Sequence, residues 1–577
     1  MEWLEEAAMI RSLAVLPALT LIYAAGTAQI VYVDDSATGA NDGTSWPNAF
    51  VHLQDALAIV QPTQEVWVAA GTYRPDQSSS PLNPTPPVPG SRTESFVLTS
   101  GVAVYGGFLG TETTLAERAQ LFDQTVLSGD LQGDDGPGFA NYGDNSYHVV
   151  DASGSGATDV LDGFLVVGGN ATGPALGSFD RGGGLISDGG AAAIVNCAFH
   201  RNRGAFGAAI SSHADALSVV NCSFLGNRVD KSGGAVLINS GSLTTLTNCL
   251  FSGNVAAMNG GALYVTNSSK PVVQLCSFSE NDALGGGGVS NQASVTGAVY
   301  RNCILWGNTD AGGQDESAQI SSQASGNAVD YCCIQGLTAA LGGTGNVGAN
   351  PLFIDADGLD NVLGTLDDNL RLQAGSPCID AGDNGGVPAD AQDLDQDGDV
   401  LEPVPLDLDL EPRLADDPAV VDTGCGLAPL VDIGAFEGQG VPLPPLVVNV
   451  GGLSLFSGGT AVFGLDAGVA FAGRLYFLLG STGGTQPGFP VGPGVTLPLN
   501  VNDPYFSFTL TTPNSPPLGN SFSALDAAGK AGASFTLSAG SPPVLAGTVV
   551  QHAYVVLTLP FLQPVFASNA VALTLVP

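Results

Sequence analysis

Along residues 180–310 the apolar positions fall into short runs that return at a fixed interval. Asn196-Cys197-Ala198-Phe199 with Asn202 recurs as Asn221-Cys222-Ser223-Phe224 with Asn227, and as Asn248-Cys249-Leu250-Phe251 with Asn254. It continues as Leu275-Cys276-Ser277-Phe278 with Asn281 and as Asn302-Cys303-Ile304-Leu305 with Asn308, so the cysteines step by 25, 27, 27 and 27 residues. A second phrase, a small residue before an aliphatic one, keeps the same period at Gly184-Leu185, Ala209-Ile210, Ala235-Val236, Ala262-Leu263 and Gly288-Val289. Two separate marks on one period indicate stacked repeats.

Parity gives the shape of each repeat. Cys and the residue two positions on share a strand face and can both point inward. The apolar residue three before each Cys (Ile194, Val219, Leu246, Val273, Tyr300) has the opposite parity, so the chain must bend between them. Asn stands at four of these five bends, and Asn tolerates the left-handed conformation better than most residues. Three short strands with two or three such corners make one coil. Coils stacked about 4.8 Å apart would lay Cys over Cys, Phe over Phe and Asn over Asn. A helical solenoid is excluded, because these segments are dense in Gly and β-branched residues and lack a 3.6-residue period.

The prediction is an all-β chain whose residues 29–437 form a parallel β-helix. Glu65–Tyr73, Ser95–Leu98, Gly101–Gly107 and Val160–Phe164 read as earlier rungs. His52–Val60, apolar at Leu53, Ala56, Leu57 and Val60, reads as a short helix covering the open N-terminal end, where bare strand edges would invite aggregation. Pro75–Pro89 reads as a loop thrown out from one rung. The ladder cysteines are expected to be buried free thiols, since parallel Cβ directions on neighbouring rungs do not suit a disulfide. Cys378 and Cys425 lie outside the ladder and are a candidate bridge. Prolines 442, 444 and 445 mark a linker over 438–446. Beyond it, apolar runs at Thr460–Leu465, Arg474–Leu479, Phe506–Leu510, Ala553–Leu559 and Val571–Val576 predict a small β-sandwich over 447–577.

Composition narrows the function. With 44% hydrophobic residues and a positive mean hydropathy the chain is not a disordered acidic tail. The net charge of −39, with 15 basic residues, excludes a nucleic-acid partner and electrostatic docking on anionic lipid. Arg11, the apolar run Leu13–Ala25 and the small-x-small Gly26-Thr27-Ala28 predict a signal peptide over 1–28 with Met9 as the true start, hence a secreted or cell-surface protein. The run is too short to span a bilayer, and no transmembrane span is expected in the mature chain.

Val31-Tyr32-Val33-Asp34 through Asn41-Asp42-Gly43-Thr44-Ser45-Trp46, with Ala70-Gly71-Thr72-Tyr73, resemble the opening of bacterial secreted pectin-lyase-like right-handed β-helix proteins, some described as choice-of-anchor proteins. Asn350-Pro351-Leu352-Phe353, Gly375-Ser376-Pro377 with Ile379-Asp380-Ala381-Gly382, and Asp432-Ile433-Gly434-Ala435-Phe436-Glu437 resemble their closing segment. The repeats also resemble those of polymorphic outer-membrane proteins, although the tail lacks the evenly alternating strands of a translocating barrel. The resemblance implies a right-handed fold and an extracellular place, and no single activity.

Polysaccharide lyases on this fold need an acid cluster for a cation and a Lys or Arg base, and glycosidases need paired carboxylates. In the repeats Asp162, Asp180, Asp188, Asp215, Asp230, Glu280 and Asp282 are scattered, and His148 and His213 have no visible partner, so no catalytic residue is assigned. Arg203 and Arg228, one coil apart, with Lys231 close by, are either a contact for an acidic sugar or solvated turn residues. Asp393, Asp395, Asp397 and Asp399 with Glu402 alternate like the ligands of a calcium loop, with Gly398 at the turn. Position twelve is Val404 and no flanking helices are evident, so structural Ca2+ stands beside a plain acidic surface loop. Asp355, Asp357, Asp360, Asp367 and Asp368 are a weaker second group. The favoured function is non-catalytic adhesion or polysaccharide contact. The alternatives are a polysaccharide lyase or glycoside hydrolase, and a structural surface spacer.

Overall fold

The computed structural model describes residues 29–118, 124–323, 326–358, 360–418 and 420–438. It further describes 446–448, 452–456, 458–467, 471, 473–486, 488–492, 495–526, 529–558 and 562–576. The signal peptide expected over 1–28 and most of the expected linker lie outside the described residues. The chain divides into two compact units, one running to Thr245 with Val255–Ala257 and Leu263–Ser269, the other comprising the remainder.

In the first unit the coils build three long parallel sheets. One sheet runs through Ile30–Val33, Glu65–Ala69, Ala103–Phe108, Val160–Asp162, Ala193–Val195 and Ser218–Val220. The next runs through Gly71–Tyr73, Thr125–Ser128, Leu165–Val167, Ala198–His200 and Ser223–Leu225. The third runs through Phe96–Val97, Val150–Asp151, Leu185–Asp188, Ile210–His213, Val236–Asn239 and Leu263–Val265. Parallel pairing of strands from successive coils is what defines a β-helix. The second unit repeats the pattern in Leu250–Ser252, Ser277–Ser279, Ile304–Trp306 and Cys333–Ile334, and in Val272–Gln274, Val299–Arg301 and Ala328–Asp330. Its third face pairs Val289–Asn291 with Ile320–Ser322.

The predicted ladders are present within each unit. The bends at Asn196, Asn221, Asn248 and Asn302 have φ of 49° to 53°, and Leu275 adopts 54° at the fifth. A left-handed Leu is disfavoured by roughly 1–2 kcal/mol, which burying its side chain (about 1.5–3 kcal/mol) offsets; Leu275 is fully buried. Phe199 stacks on Phe224 with centroids 5.3 Å apart, and Phe251 on Phe278 at 4.5 Å. The ladder cysteines are buried and form no disulfide, and Cys197 Sγ donates to the Val195 carbonyl at 3.1 Å. Burial pushes the Cys276 and Cys332 thiols up.

The helix at Leu53–Leu57 packs against the first-rung strand Ile30–Val33 and buries Leu53, Ala56 and Leu57. The loop 75–89 leaves its rung after Gly71–Tyr73 as expected, exposed over most of its second half and tied down over its first. Buried Asp55 accepts from Ser79 N at 3.0 Å, Ser80 N at 2.9 Å and Asn83 Nδ2 at 3.0 Å.

The described C-terminal residues form two main sheets and a small two-stranded one, Phe489–Gly492 with Val495–Leu497. Leu446–Val448, Gly459–Asp466, Lys530–Leu537 and Leu518–Gly519 make one. Gly452–Ser454, Val571–Val576, Val549–Thr558, Leu475–Ser481 and Phe522–Ala524 make the other, with Gln563–Ala567 also paired to Val549–Thr558. Phe463 and Phe535 from one meet Tyr476, Leu478 and Tyr554 from the other in a shared core. The run Phe506–Leu510 is not a strand but part of a helix, Pro504–Thr511. Asp503 caps it, accepting from Tyr505 N at 2.6 Å and Phe506 N at 3.0 Å, and Pro504 is preset for the first turn.

Candidate functional site

Arg203 and Arg228 do not sit on turns. They lie on a fourth short parallel sheet, Asn170–Ala171, Arg203–Phe206, Arg228–Ser232 and Val255–Ala256, which the three-strand reading of each coil misses. Arg203 pairs in register with Arg228, so their side chains leave the same face one rung apart. Lys231 extends over the Phe206 ring, Nζ 4.5 Å from its centroid. Arg203 Nη2 reaches Asp230 at 3.4 Å with both groups substantially exposed, which makes this a weak ion pair. Arg228, Asp230 and Lys231 are exposed. Arg203, Arg228 and Lys231 thus stand with Asp230 and the Phe206 ring on one short sheet.

The histidines have partners that the sequence hides. His148 Nδ1 lies 2.9 Å from the Gly182 carbonyl. His213 stands in register with Asp188, whose carboxylate lies 2.6 Å from Nδ1, while Nε2 lies 2.8 Å from Ser240 Oγ. The order Asp–His–Ser is that of a nucleophile relay. Here, however, Nδ1 and the carboxylate meet out of hydrogen-bonding alignment, and Asp188 is exposed. A relay needs an aligned, sheltered pair to hold the imidazole, so this arrangement reads as a fastening of neighbouring turns. Two further acids of the repeats are taken up by their neighbours. Asp162 pairs with Arg118 at 2.5 Å, and Asp215 is buried among Ser212, Ser242 and Thr244, with burial raising its pKa.

The acidic closing segment lies along the second unit's coils. Asn248 Nδ2 donates to the Leu406 carbonyl at 2.7 Å, and Asn302 exchanges hydrogen bonds with the Asp383 backbone at 2.8 and 2.9 Å. Gln274 Nε2 donates to the Gly386 carbonyl at 2.9 Å. Asn248 and Asn302 therefore do two jobs, turning the chain and gripping this segment.

Within the segment, ligand oxygens of Asp393, Asp395 and Asp397 come within 4.8 Å of one another, as do those of Asp390, Asp395 and Glu402. Gly398 adopts φ +90°, and its N–H donates to Asp393 Oδ1 at 3.1 Å. Asp399 belongs to neither group and accepts from Leu401 N instead. Asp390, buried and three residues before Asp393, is the member that the spacing rule overlooks. Glu402 Oε1 is buried without a hydrogen-bond partner, and desolvation together with the charges of Asp397, Asp395 and Asp399 raises its pKa. An oxygen-only set of this kind suits a hard cation. In the weaker group, Asp368 is fastened to Ser252 Oγ and to Gly364 N.

No bridge joins Cys378 to Cys425. Cys378 is buried with Ile304, Cys333, Ala381 and Ile433, whereas Cys425 is exposed. The Asp383–Cys425 backbone pairing holds Cys425 on the outside.

Residues 177–345 match the family model for the right handed beta helix region. No curated protein matches the chain. Among solved structures, the crystal structure of pectate lyase Pel9A is similar over 71% of this chain and 97% of its own, at 14% identity and a TM-score of 0.36. No helix among the described residues is long and apolar enough to cross a membrane.

Proposed function

We propose that this right-handed parallel β-helix is a non-catalytic extracellular or cell-surface protein that holds an anionic polysaccharide against its short fourth sheet, with Arg203, Arg228 and Lys231 as contacts. The carrying observation is the in-register pair Arg203–Arg228 beside Lys231 and Phe206. Two guanidinium groups one rung apart can each take a sugar carboxylate bidentately, and an aromatic ring offers a face to a pyranose. The parallel strands hold the spacing, so little conformational freedom is lost on binding. The acidic loop at Asp393, Asp395, Asp397 and Glu402, joined by Asp390, would hold a structural Ca2+.

Binding to polygalacturonate, with a neutral glucan as control, tests the reading at 0.15 M salt, where exposed charges are screened beyond about 8 Å. The native chain should bind the polyuronate and release no unsaturated or reducing ends. Arg203→Ala with Arg228→Ala should weaken binding at least tenfold. New ends would overturn it in favour of a lyase or hydrolase, and no binding would leave the spacer role.

A further inference from the structure

We propose that Asp380, Asp416 and Asp422 form a second cation site, built for a hard divalent ion such as Ca2+ and separate from the 393–402 loop. One carboxylate oxygen of each lies within 4.8 Å of the others. Asp416 and Asp422 are exposed, while Asp380 is 0% exposed, and neither of its carboxylate oxygens has a hydrogen-bond partner. That is the anomaly to explain, because buried carboxylates are normally paired or ligating.

The position of Asp380 is not slack. Its N–H donates to Asp432 Oδ1 at 2.7 Å, and its carbonyl accepts from Thr423 N at 3.0 Å and Gly424 N at 3.1 Å. The backbone is fastened on both sides, and the carboxylate is left facing Asp416 and Asp422. The Asp417 N–H approaches it without closing a hydrogen bond.

Among the described residues no Lys, Arg or His pairs with Asp380. Arg413, fully buried, is taken up by Glu437 at 3.5 Å, Asn248 Oδ1 at 2.8 Å and the carbonyls of Gly434 and Ala435. A bound divalent ion would offset most of the charge of the cluster and tie Asp380 to Asp416 and Asp422. Three carboxylates without His or Cys select oxygen-loving ions, and the exposed side leaves room for the waters that Ca2+ accepts in an irregular shell.

Equilibrium dialysis of the full chain against 45Ca2+, after EGTA treatment, tests the site. Asp416→Asn with Asp422→Asn, both exposed, should bind one ion fewer than the native chain and lose part of the Ca2+-dependent rise in melting temperature. Asp395→Asn with Asp397→Asn should still hold the ion at Asp380, and the combined variant should not. Equal stoichiometry in the native chain and the Asp416/Asp422 variant would overturn the proposal, including the case in which neither binds. A change confined to the Asp395/Asp397 variant would overturn it too, while leaving the other loop's role intact.

Discussion

The side chain of Asn281 donates from Nδ2 to Asn308 Oδ1 at 2.8 Å, although 27 residues separate them along the chain. The same contact joins Asn254 to Asn281 at 2.9 Å and, in the first unit, Asn202 to Asn227 at 3.2 Å. Asn281 also caps the Phe251 carbonyl and Asn308 the Phe278 carbonyl of the previous coil, both at 3.0 Å, as in the first unit Asn202 does for Val166 and Asn227 for Phe199. Gln319 Oε1 accepts from Asn308 at 2.7 Å and ends the column. All five asparagines are fully buried. The phrase Phe-x-x-Asn thus sets an aromatic stack beside a polar ladder in which every amide is used.

Asn281→Ala removes one amide from the middle of this column and strands its partners. Each buried polar group left unsatisfied is worth about 1–3 kcal/mol, so a loss of roughly 2–4 kcal/mol is expected. Asn281→Asp should do no better, since a carboxylate cannot donate to the Phe251 carbonyl. Denaturant melts read alongside amide exchange of residues 277–308 check this, because stacked coils lose structure locally before they unfold together. Unchanged exchange there would contradict it.

Arg118 and Asp162 form an ion pair whose side chains are 2% and 9% exposed, with Asn196 Nδ2 donating to the other carboxylate oxygen at 3.0 Å. Arg118→Leu leaves a buried acid without its counter-charge, which typically destabilises by about 3–5 kcal/mol. Adding Asp162→Asn should restore most of that, because an amide needs no counter-charge. The four melting curves of the double-mutant cycle are the measurement. Additive losses would mean that the pair carries no coupling.

His552 is buried between Phe463 and Phe535, with Nε2 3.3 Å from the Tyr505 hydroxyl, and burial lowers its pKa to about 3. The folded state therefore prefers the neutral ring. Its contribution to stability is complete above the unfolded value near 6.5 and is lost as the pH falls from there toward 3. His552→Phe should flatten the melting temperature of the C-terminal sandwich over that window relative to the native chain. Carboxylates titrate in both proteins and cancel in the difference. Parallel curves would show that His552 is not the titrating group.

The solenoid was legible in the sequence because its causes are local. The 25- to 27-residue period, the parity of Cys197 and Phe199 and the left-handed tolerance of Asn196 are written within a few residues of each other, and stacking only repeats them. What tertiary structure decided depends on the path of the chain between coils. Asp188, His213 and Ser240 meet because three coils stack in register, and Arg203 lies on a strand because the turn beyond Asn202 pairs with its neighbours. Asp380, Asp416 and Asp422 lie up to 42 residues apart, and no spacing rule joins them; hydrogen bonds at Asp432, Thr423 and Gly424 bring them to one point. Backbone preference is a property of short stretches, whereas convergence of charges is a property of how distant stretches are held. For that reason the fold could be read from the residues in order, and the acid cluster only from their positions in space.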